Sequence, residues 1–266
     1  MKQSAVILAY MCFSLSSFAQ AEHNSKSDSF TGLIGVGVAS SPEYLGSDDN
    51  ELGAALIGKI HYGHYYAKLM GAGVQLNVSS DENIEYGLYL NSRSGRETDV
   101  ENDTVSKLRE IDSAFEVGLF VEFPYQNVFT KRDKLSFGID VLTDVSGTHD
   151  GTVLKIGSRY SYMLSPKVML STGASLTYGD DSFNDTYFSV DSDNAMRSGL
   201  ATYDADGGFN KVGLNVTANY ALSKQWGMFG MVGYERLIGD AADSSIVADE
   251  GSDSMYRTAL GLTYRF

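Results

Sequence analysis

The sequence predicts an all-β protein, a transmembrane antiparallel β-barrel of the outer-membrane type with about twelve strands. Three observations predict this fold. Apolar residues alternate with polar or small residues along successive runs, aromatic residues stand at the ends of those runs, and long acidic connections alternate with tight turns. The runs have about 10–12 residues, whereas a tilted membrane strand needs roughly 9–11 and strands of globular sheets usually have about 5–6.

The N-terminus is typical of a cleaved secretory signal. Lys2 supplies a positive charge, residues 5–18 are mostly apolar, and Ala19 and Ala21 are the small residues that a signal peptidase reads. We therefore expect residues 1–21 to be a cleaved signal peptide, 22–29 a short N-terminal segment and 30–266 the barrel. The single cysteine, Cys12, lies within the predicted signal, so we expect no disulfide in the mature chain.

Composition excludes two classes of protein. A formal net charge of −14 opposes nucleic-acid binding, which requires a basic surface against phosphate. A hydrophobic content of 43% with only 20% charged residues excludes general disorder.

From Phe30 onwards, the two-residue alternation recurs along the chain. One face of each run is apolar in the segments 52–62, 84–90, 115–123, 135–141, 154–162, 168–178 and 212–222. Charged residues occupy the other face at mid-strand positions. Burying these charges in a dry core would cost free energy. A narrow lumen that is wet or ion-paired accommodates them, and we expect pairing across it among Lys155, Arg159, Glu116, Glu122, Lys211 and Arg257.

The number of strands is ambiguous by one. Eleven runs are clear, whereas a closed antiparallel barrel needs an even number. Between Tyr65 and Val78 the apolar phase slips across Gly71-Ala72-Gly73, which indicates either a bulge or a tight turn that conceals a further strand. Residues 186–190 are the other possible location. Twelve strands is our prediction, with ten and fourteen as alternatives.

The last run carries an assembly signal. Tyr256, Leu260, Leu262, Tyr264 and Phe266 share one face. A terminal phenylalanine on an amphipathic strand resembles the C-terminal signature of bacterial outer-membrane barrels. We therefore expect the last two of these residues to contact the barrel-assembly machinery. The predicted location is the outer membrane of a Gram-negative bacterium, in contact with its lipid and lipopolysaccharide.

Several separated motifs resemble the MipA/OmpV family of outer-membrane proteins, and the resemblance extends over roughly residues 30–266. The order and spacing of these motifs make the set specific, although Ser245 stands where the family pattern has proline. The residues that carry it lie in four loops: Pro42, Tyr44, Gly46 and Asp48; Asp144, Gly147 and His149; Asp185, Tyr187, Tyr203 and Asp206; and Gly239, Asp240 and Asp243.

The resemblance implies a barrel without catalysis and without a cofactor. The family's best-known role is that of a scaffold, which brings a lytic murein transglycosylase together with a penicillin-binding synthase. A small pore and an adhesin-like surface protein are the alternatives. No short interaction motif identifies a scaffold surface, so this role transfers by analogy alone.

Hydrolytic and metal chemistry find little support in the sequence. His149 precedes Asp150 in a loop and is a candidate base, but no serine lies two residues from a histidine on a clear strand face. The acidic loops lack the spacing of an EF-hand. We expect no catalytic or metal-binding residues, and we interpret the loop motifs as turn caps or as a lid over the barrel mouth in preference to a ligand site.

Overall fold

The computed structural model describes residues 30–266, and Ala19 and Ala21 of the predicted signal lie outside the described residues. Within residues 30–266, twelve antiparallel strands form one closed barrel, in which β1 pairs with both β2 and β12. The predicted fold and strand number are confirmed. The strands are β1 Thr31–Pro42, β2 Asn50–Tyr62, β3 Tyr65–Met70, β4 Gly73–Asn77, β5 Glu85–Arg93, β6 Ala114–Gln126, β7 Asp133–Asp144, β8 Thr152–Ser165, β9 Val168–Gly179, β10 Gly208–Ala221, β11 Trp226–Leu237 and β12 Ser254–Arg265.

Short helices occur in the long connections. They are a 3₁₀ turn Val105–Lys107, α1 Asp181–Phe188, α2 Ser192–Ser198, α3 Asp240–Asp243 and α4 Ser245–Glu250. Across residues 30–266, no helix has the length and apolar content that a bilayer crossing requires.

The concealed strand lies where the apolar phase slips. Gly71 adopts a φ of +59° in the tight turn that pairs Met70 of β3 with Gly73 of β4, and its N–H donates to the Leu56 carbonyl of β2 at 2.8 Å. Residues 186–190, the alternative location, instead end α1 and contribute an isolated bridge between Val190 and Tyr203. Because β3 and β4 have only six and five residues, the barrel wall is lower here than at the other strands.

The outer face of the barrel is apolar. Leu119 is 62% exposed and Leu260 is 59% exposed, and neighbouring strands present similar side chains. A contiguous surface of this kind is unfavourable in water and is satisfied by lipid. Trp226 and Tyr264 pack with ring centroids 5.1 Å apart at the end of the barrel where β12 finishes, as expected for an interfacial aromatic belt.

The seam between β1 and β12 depends on glycine. Gly37 faces Gly261 directly, and a Cβ added to Gly37 would lie 2.6 Å from the Gly261 Cα atom. Phe229 of β11 pairs with Gly261 and is 3% exposed, and its ring covers Gly261 from the lumen. An aromatic ring over strand glycines stabilises the register of such a pair.

Connections differ sharply between the two ends of the barrel. At the end where β12 finishes they are short turns, and by the usual polarity of such barrels this end is periplasmic. At the other, extracellular end the connections 94–113, 180–207 and 238–253 are long, whereas 43–49 and 145–151 are no longer than the periplasmic connection 78–84 and residues 71–72 form a tight turn. We call the extracellular loops 43–49, 94–113, 145–151, 180–207 and 238–253 together the lid.

Candidate functional site: the lid and the lumen

Apolar residues of the lid pack into two buried clusters at the extracellular mouth. One cluster surrounds Phe183 and Phe188 and includes Leu237 and Met255 from the ends of β11 and β12. The other joins loops that are far apart in sequence and contains Tyr44, Val105, Leu108, Val190, Leu200 and Ile246. The first cluster therefore packs lid loops against the barrel wall, and the second packs lid loops against one another.

Aspartates begin the two longest helices of the lid. The Asp180 carboxylate accepts the Phe183 N–H at 3.0 Å, and the Asp191 carboxylate accepts the Asn194 N–H at 2.7 Å. Such caps satisfy N–H groups that have no partner within the helix. The Asn194 N–H, together with Arg109 at 2.8 Å, holds the pKa of Asp191 below its usual range. These acidic residues therefore have structural roles in the lid.

Asp144 and His149 organise the connection between β7 and β8. The Asp144 carboxylate accepts the N–H groups of Ser146, Thr148 and His149 at 2.7–2.8 Å. Gly147 makes the turn possible with a φ of +78°. The loop closes on itself and directs the imidazole of His149 into the barrel.

The imidazole of His149 is fully buried and has partners at both nitrogens. Its Nδ1 accepts the Gly151 N–H at 3.1 Å, so Nε2 carries the proton and donates to Glu116 Oε1 at 3.2 Å. Glu116 is also fully buried and accepts from Arg93 Nε and Asn91 Nδ2, each at 2.7 Å. Since the basic lone pair of His149 is already occupied, this arrangement does not present a general base.

Arg93 and Asn91 were not singled out from the sequence. The sequence does contain a signal for them, because both residues continue the inward-facing phase of Glu85 on β5. The guanidinium of Arg93 also lies 4.9 Å from the ring centroid of Phe183, and the His149 ring packs against Phe183 at 5.2 Å. This group of side chains thus connects the barrel wall to the lid.

Some of the remaining loop residues that carry the family resemblance join or shape the lid loops, and the others differ in whether they are buried or exposed. Tyr203 donates its hydroxyl proton to the Asp240 carbonyl at 3.0 Å, and the Asp240 carboxylate accepts the Asp206 N–H at 3.0 Å, which joins two lid loops. Gly46 adopts a φ of +95° and Gly239 a φ of +58°. Tyr44, Tyr187 and Pro42 are buried, whereas Asp48, Gly147, Asp185, Asp206 and Asp243 lie exposed on the outer surface.

Three buried polar atoms of the lid have no hydrogen-bond partner among the described residues: the hydroxyls of Tyr44 and Tyr187 and the Nε of Arg96. Burial raises the pKa of Tyr44 and of Tyr187 to about 12. Burial lowers the pKa of Arg96 to about 10.

Ion pairs line the lumen at two levels. Lys211 and Arg257 each lie 3.2 Å from Glu235 near the lid. Lys134 lies 3.6 Å from Glu85 and 3.9 Å from Glu122 nearer the periplasmic end. The expected pairing is wrong for two residues, however, because Lys155 and Arg159 form no salt bridge within residues 30–266. Glu116, Glu122, Lys211 and Arg257 pair with residues outside the predicted set.

Carboxylates gather on the outer rim of the lid. Glu43, Glu51, Glu97, Asp99, Glu110 and Asp112 line a surface cavity of about 350 Å³. In the described part of the chain, no three carboxylate, histidine or cysteine side chains come together as metal ligands.

Comparisons with known proteins identify a family and several similar structures. A family model described as MltA-interacting protein MipA matches residues 34–266. An outer-membrane channel from Pseudomonas putida F1 is similar over 94% of this chain and 100% of its own, with 11% identity and a TM-score of 0.48. The KdgM porin is similar over 88% of this chain and 99% of its own, with 9% identity and a TM-score of 0.38. No match was found among curated proteins.

Proposed function

The chain belongs to the MltA-interacting protein MipA family of outer-membrane barrels, and from this membership we propose that it is a non-enzymatic scaffold for murein-remodelling enzymes. The proposed partners are a lytic transglycosylase, as the family description suggests, and a penicillin-binding synthase. Both act in the periplasm, so the contact surface lies on the periplasmic rim of the barrel.

One periplasmic turn carries this proposal. Phe129 is 74% exposed at the tip of the turn between β6 and β7, followed by the exposed cations Lys131 and Arg132. The Asp133 carboxylate accepts the N–H groups of Val128 and Phe129 at 2.7 and 3.1 Å, which fixes the turn. An aromatic residue beside arginine on a preordered loop is the composition that favours binding energy in protein interfaces.

The lid supports a scaffold in preference to a pore. One of its apolar clusters packs on the ends of barrel strands and the other packs lid loops together, and a packed mouth hinders diffusion of solutes. We also propose that the barrel-assembly machinery contacts Tyr264 and Phe266 at the periplasmic end of the seam.

Affinity capture from detergent-solubilised envelopes tests the scaffold. The tagged wild-type chain is expected to recover both murein enzymes, and Phe129→Ala with Arg132→Ala is expected to recover several-fold less. Lys224→Ala, in the exposed turn between β10 and β11, is the matched control and should recover wild-type amounts. Recovery of neither enzyme, even after crosslinking, contradicts the proposal. Stable conductance steps of the wild-type chain in planar bilayers would favour the pore.

A further inference from the structure

The lumen contains a charged cavity that the scaffold role leaves unused. It has a volume of about 110 Å³ and lies between the two levels of ion pairs. Three cations and two carboxylates line it, namely Lys68, Lys155, Arg159, Glu122 and Asp140. This local excess of positive charge contrasts with the net charge of −14 of the whole chain.

Other side chains already engage the carboxylates of the cavity. Gln75 of β4 reaches across the lumen, and its Nε2 donates to Asp140 Oδ1 at 3.2 Å. The Gln75 Oε1 accepts from Lys68 Nζ at 3.1 Å, which also engages that lysine. Glu122 lies 3.9 Å from Lys134. Asp140 faces Lys155 across the pair of β7 and β8, but among the described residues no carboxylate forms a salt bridge with the remaining cations of the cavity.

Lys155 and Arg159 are those remaining cations. Both belong to β8 and face the lumen, where they are exposed to solvent, and within residues 30–266 neither forms a salt bridge or a side-chain hydrogen bond. Their spacing of four residues places them on the same face of the strand.

A recess without side chains separates the two cations. Gly157 lies between them on β8, and its cross-strand neighbours are Gly138 and Ser175. A Cβ added to Gly157 would meet nothing closer than 3.5 Å, and one added to Gly138 nothing closer than 3.4 Å. Close packing therefore does not require glycine at either position, and the effect of both glycines is to leave room beside the cations.

We propose that this recess binds an oxyanion, as part of a small ligand that carries a phosphate or carboxylate group. Arg159 presents a planar fork that matches two oxygens, and Lys155 adds a point charge from the other side. A cavity of about 110 Å³ has room for a group of this size in place of a few waters. Because the lid covers the extracellular mouth, the ligand enters from the periplasm. The site is independent of the proposed scaffold contacts.

Calorimetric titration of the folded barrel in a neutral detergent at low ionic strength tests the site. Inorganic phosphate and acetate are the two probes, and binding of either one supports the proposal and identifies the preferred group. We expect saturable binding to the wild-type chain and an affinity about tenfold or more weaker in Arg159→Gln and in Lys155→Gln.

Two further variants separate a built recess from general attraction to positive charge. Gly157→Val keeps both cations but fills the recess, and it is expected to abolish saturable binding. Lys167→Gln removes an exposed cation from the turn between β8 and β9, and it should retain wild-type affinity within about twofold. Heat-modifiable gel mobility confirms that each variant is folded. Absence of saturable binding to the wild-type chain at ~10 mM of both probes overturns the proposal, as do equal affinities of Gly157→Val and wild type.

Discussion

His149 Nε2 lies 3.2 Å from Glu116 Oε1, and both side chains are fully buried. His149 belongs to a lid loop and Glu116 belongs to β6, so this contact joins the lid to the barrel wall. Arg93 completes the group by donating to the same carboxylate at 2.7 Å. The stability of the lid therefore depends on a few polar contacts as well as on its apolar clusters.

Replacing His149 with alanine is expected to lower the free energy of unfolding by about 2–3 kcal/mol, because Glu116 loses a buried donor and Phe183 loses a packed ring. Urea titration in detergent, followed by the fluorescence of Trp226 and by protease sensitivity of the lid, measures the change. The matched control is His64→Ala, which removes an exposed imidazole from a periplasmic turn and should change little. Equal losses in the two variants would contradict the role of His149.

Glu116→Gln is expected to cost about 3 kcal/mol, since it leaves the largely buried guanidinium of Arg93 without its carboxylate. The same urea titration measures this loss. Asp253→Asn breaks the more exposed pair with Arg236 and should cost at most about 1 kcal/mol. A loss below 1 kcal/mol for Glu116→Gln would show that the buried pair does not stabilise the lid.

Removal of an unpartnered buried hydroxyl should not destabilise the lid. Tyr44→Phe and Tyr187→Phe are expected to change the free energy of unfolding by less than about 1 kcal/mol or to raise it, because each hydroxyl is buried without a partner. Tyr203→Phe, in contrast, loses a hydrogen bond to the Asp240 carbonyl and should cost about 1 kcal/mol. Chemical denaturation of the three variants in parallel compares them, and a larger loss at Tyr44 or Tyr187 than at Tyr203 would be inconsistent with this account.

The burial of Tyr44 and Tyr187 predicts that the folded protein becomes less stable at alkaline pH. Burial raises the pKa of Tyr44 and Tyr187 to about 12, whereas an unfolded tyrosine titrates near 10. Between these values the unfolded chain releases protons that the folded chain retains, so the free energy of unfolding falls as the pH rises from 10 to 12. Unfolding titrations at pH 9 and pH 11 measure the decline, and the double variant Tyr44→Phe with Tyr187→Phe should flatten it. An unchanged slope in the double variant would refute this assignment.

Gly37→Ala tests the seam. The added methyl group would meet the backbone of Leu260 and Gly261, so β1 and β12 must separate, at a cost of about 1–3 kcal/mol or more. The fraction of protein that shows heat-modifiable mobility after refolding should fall. Gly53→Ala is the control, because a Cβ at Gly53 meets nothing within 4 Å and should be tolerated. Normal refolding of Gly37→Ala would show that the seam adapts at little cost.

The barrel was predictable because a bilayer imposes a simple rule on each strand. The outward residues of β12, and those of β10 from Val212 onwards, alternate with inward ones without interruption, and the phase slip at Gly71 marked the concealed hairpin. Because a closed antiparallel barrel needs an even number of strands, the concealed hairpin made the count twelve and not eleven. Tertiary packing did not need to be known for either conclusion.

The lid was less predictable, because its contacts join loops that are distant in sequence. Asp180 and Asp191 lie in one long acidic connection of the sequence, and an aspartate three residues before a packed residue such as Phe183 is also a helix-capping signal. The partner of Glu116 could not be chosen from the sequence, since several inward-facing cations compete for it. Only the register of β5 against β6 places Arg93 beside it.

The short hairpin of β3 and β4 also affects the membrane around the protein. Six residues extend about 20 Å along the strand axis, whereas the apolar band of such barrels is about 25 Å tall. A bilayer thins beside a hydrophobic wall that is too short, at a cost of fractions of a kcal/mol for each ångström. The outer leaflet therefore dips towards Gly71 on this side, and lipids with shorter acyl chains are favoured there over longer ones.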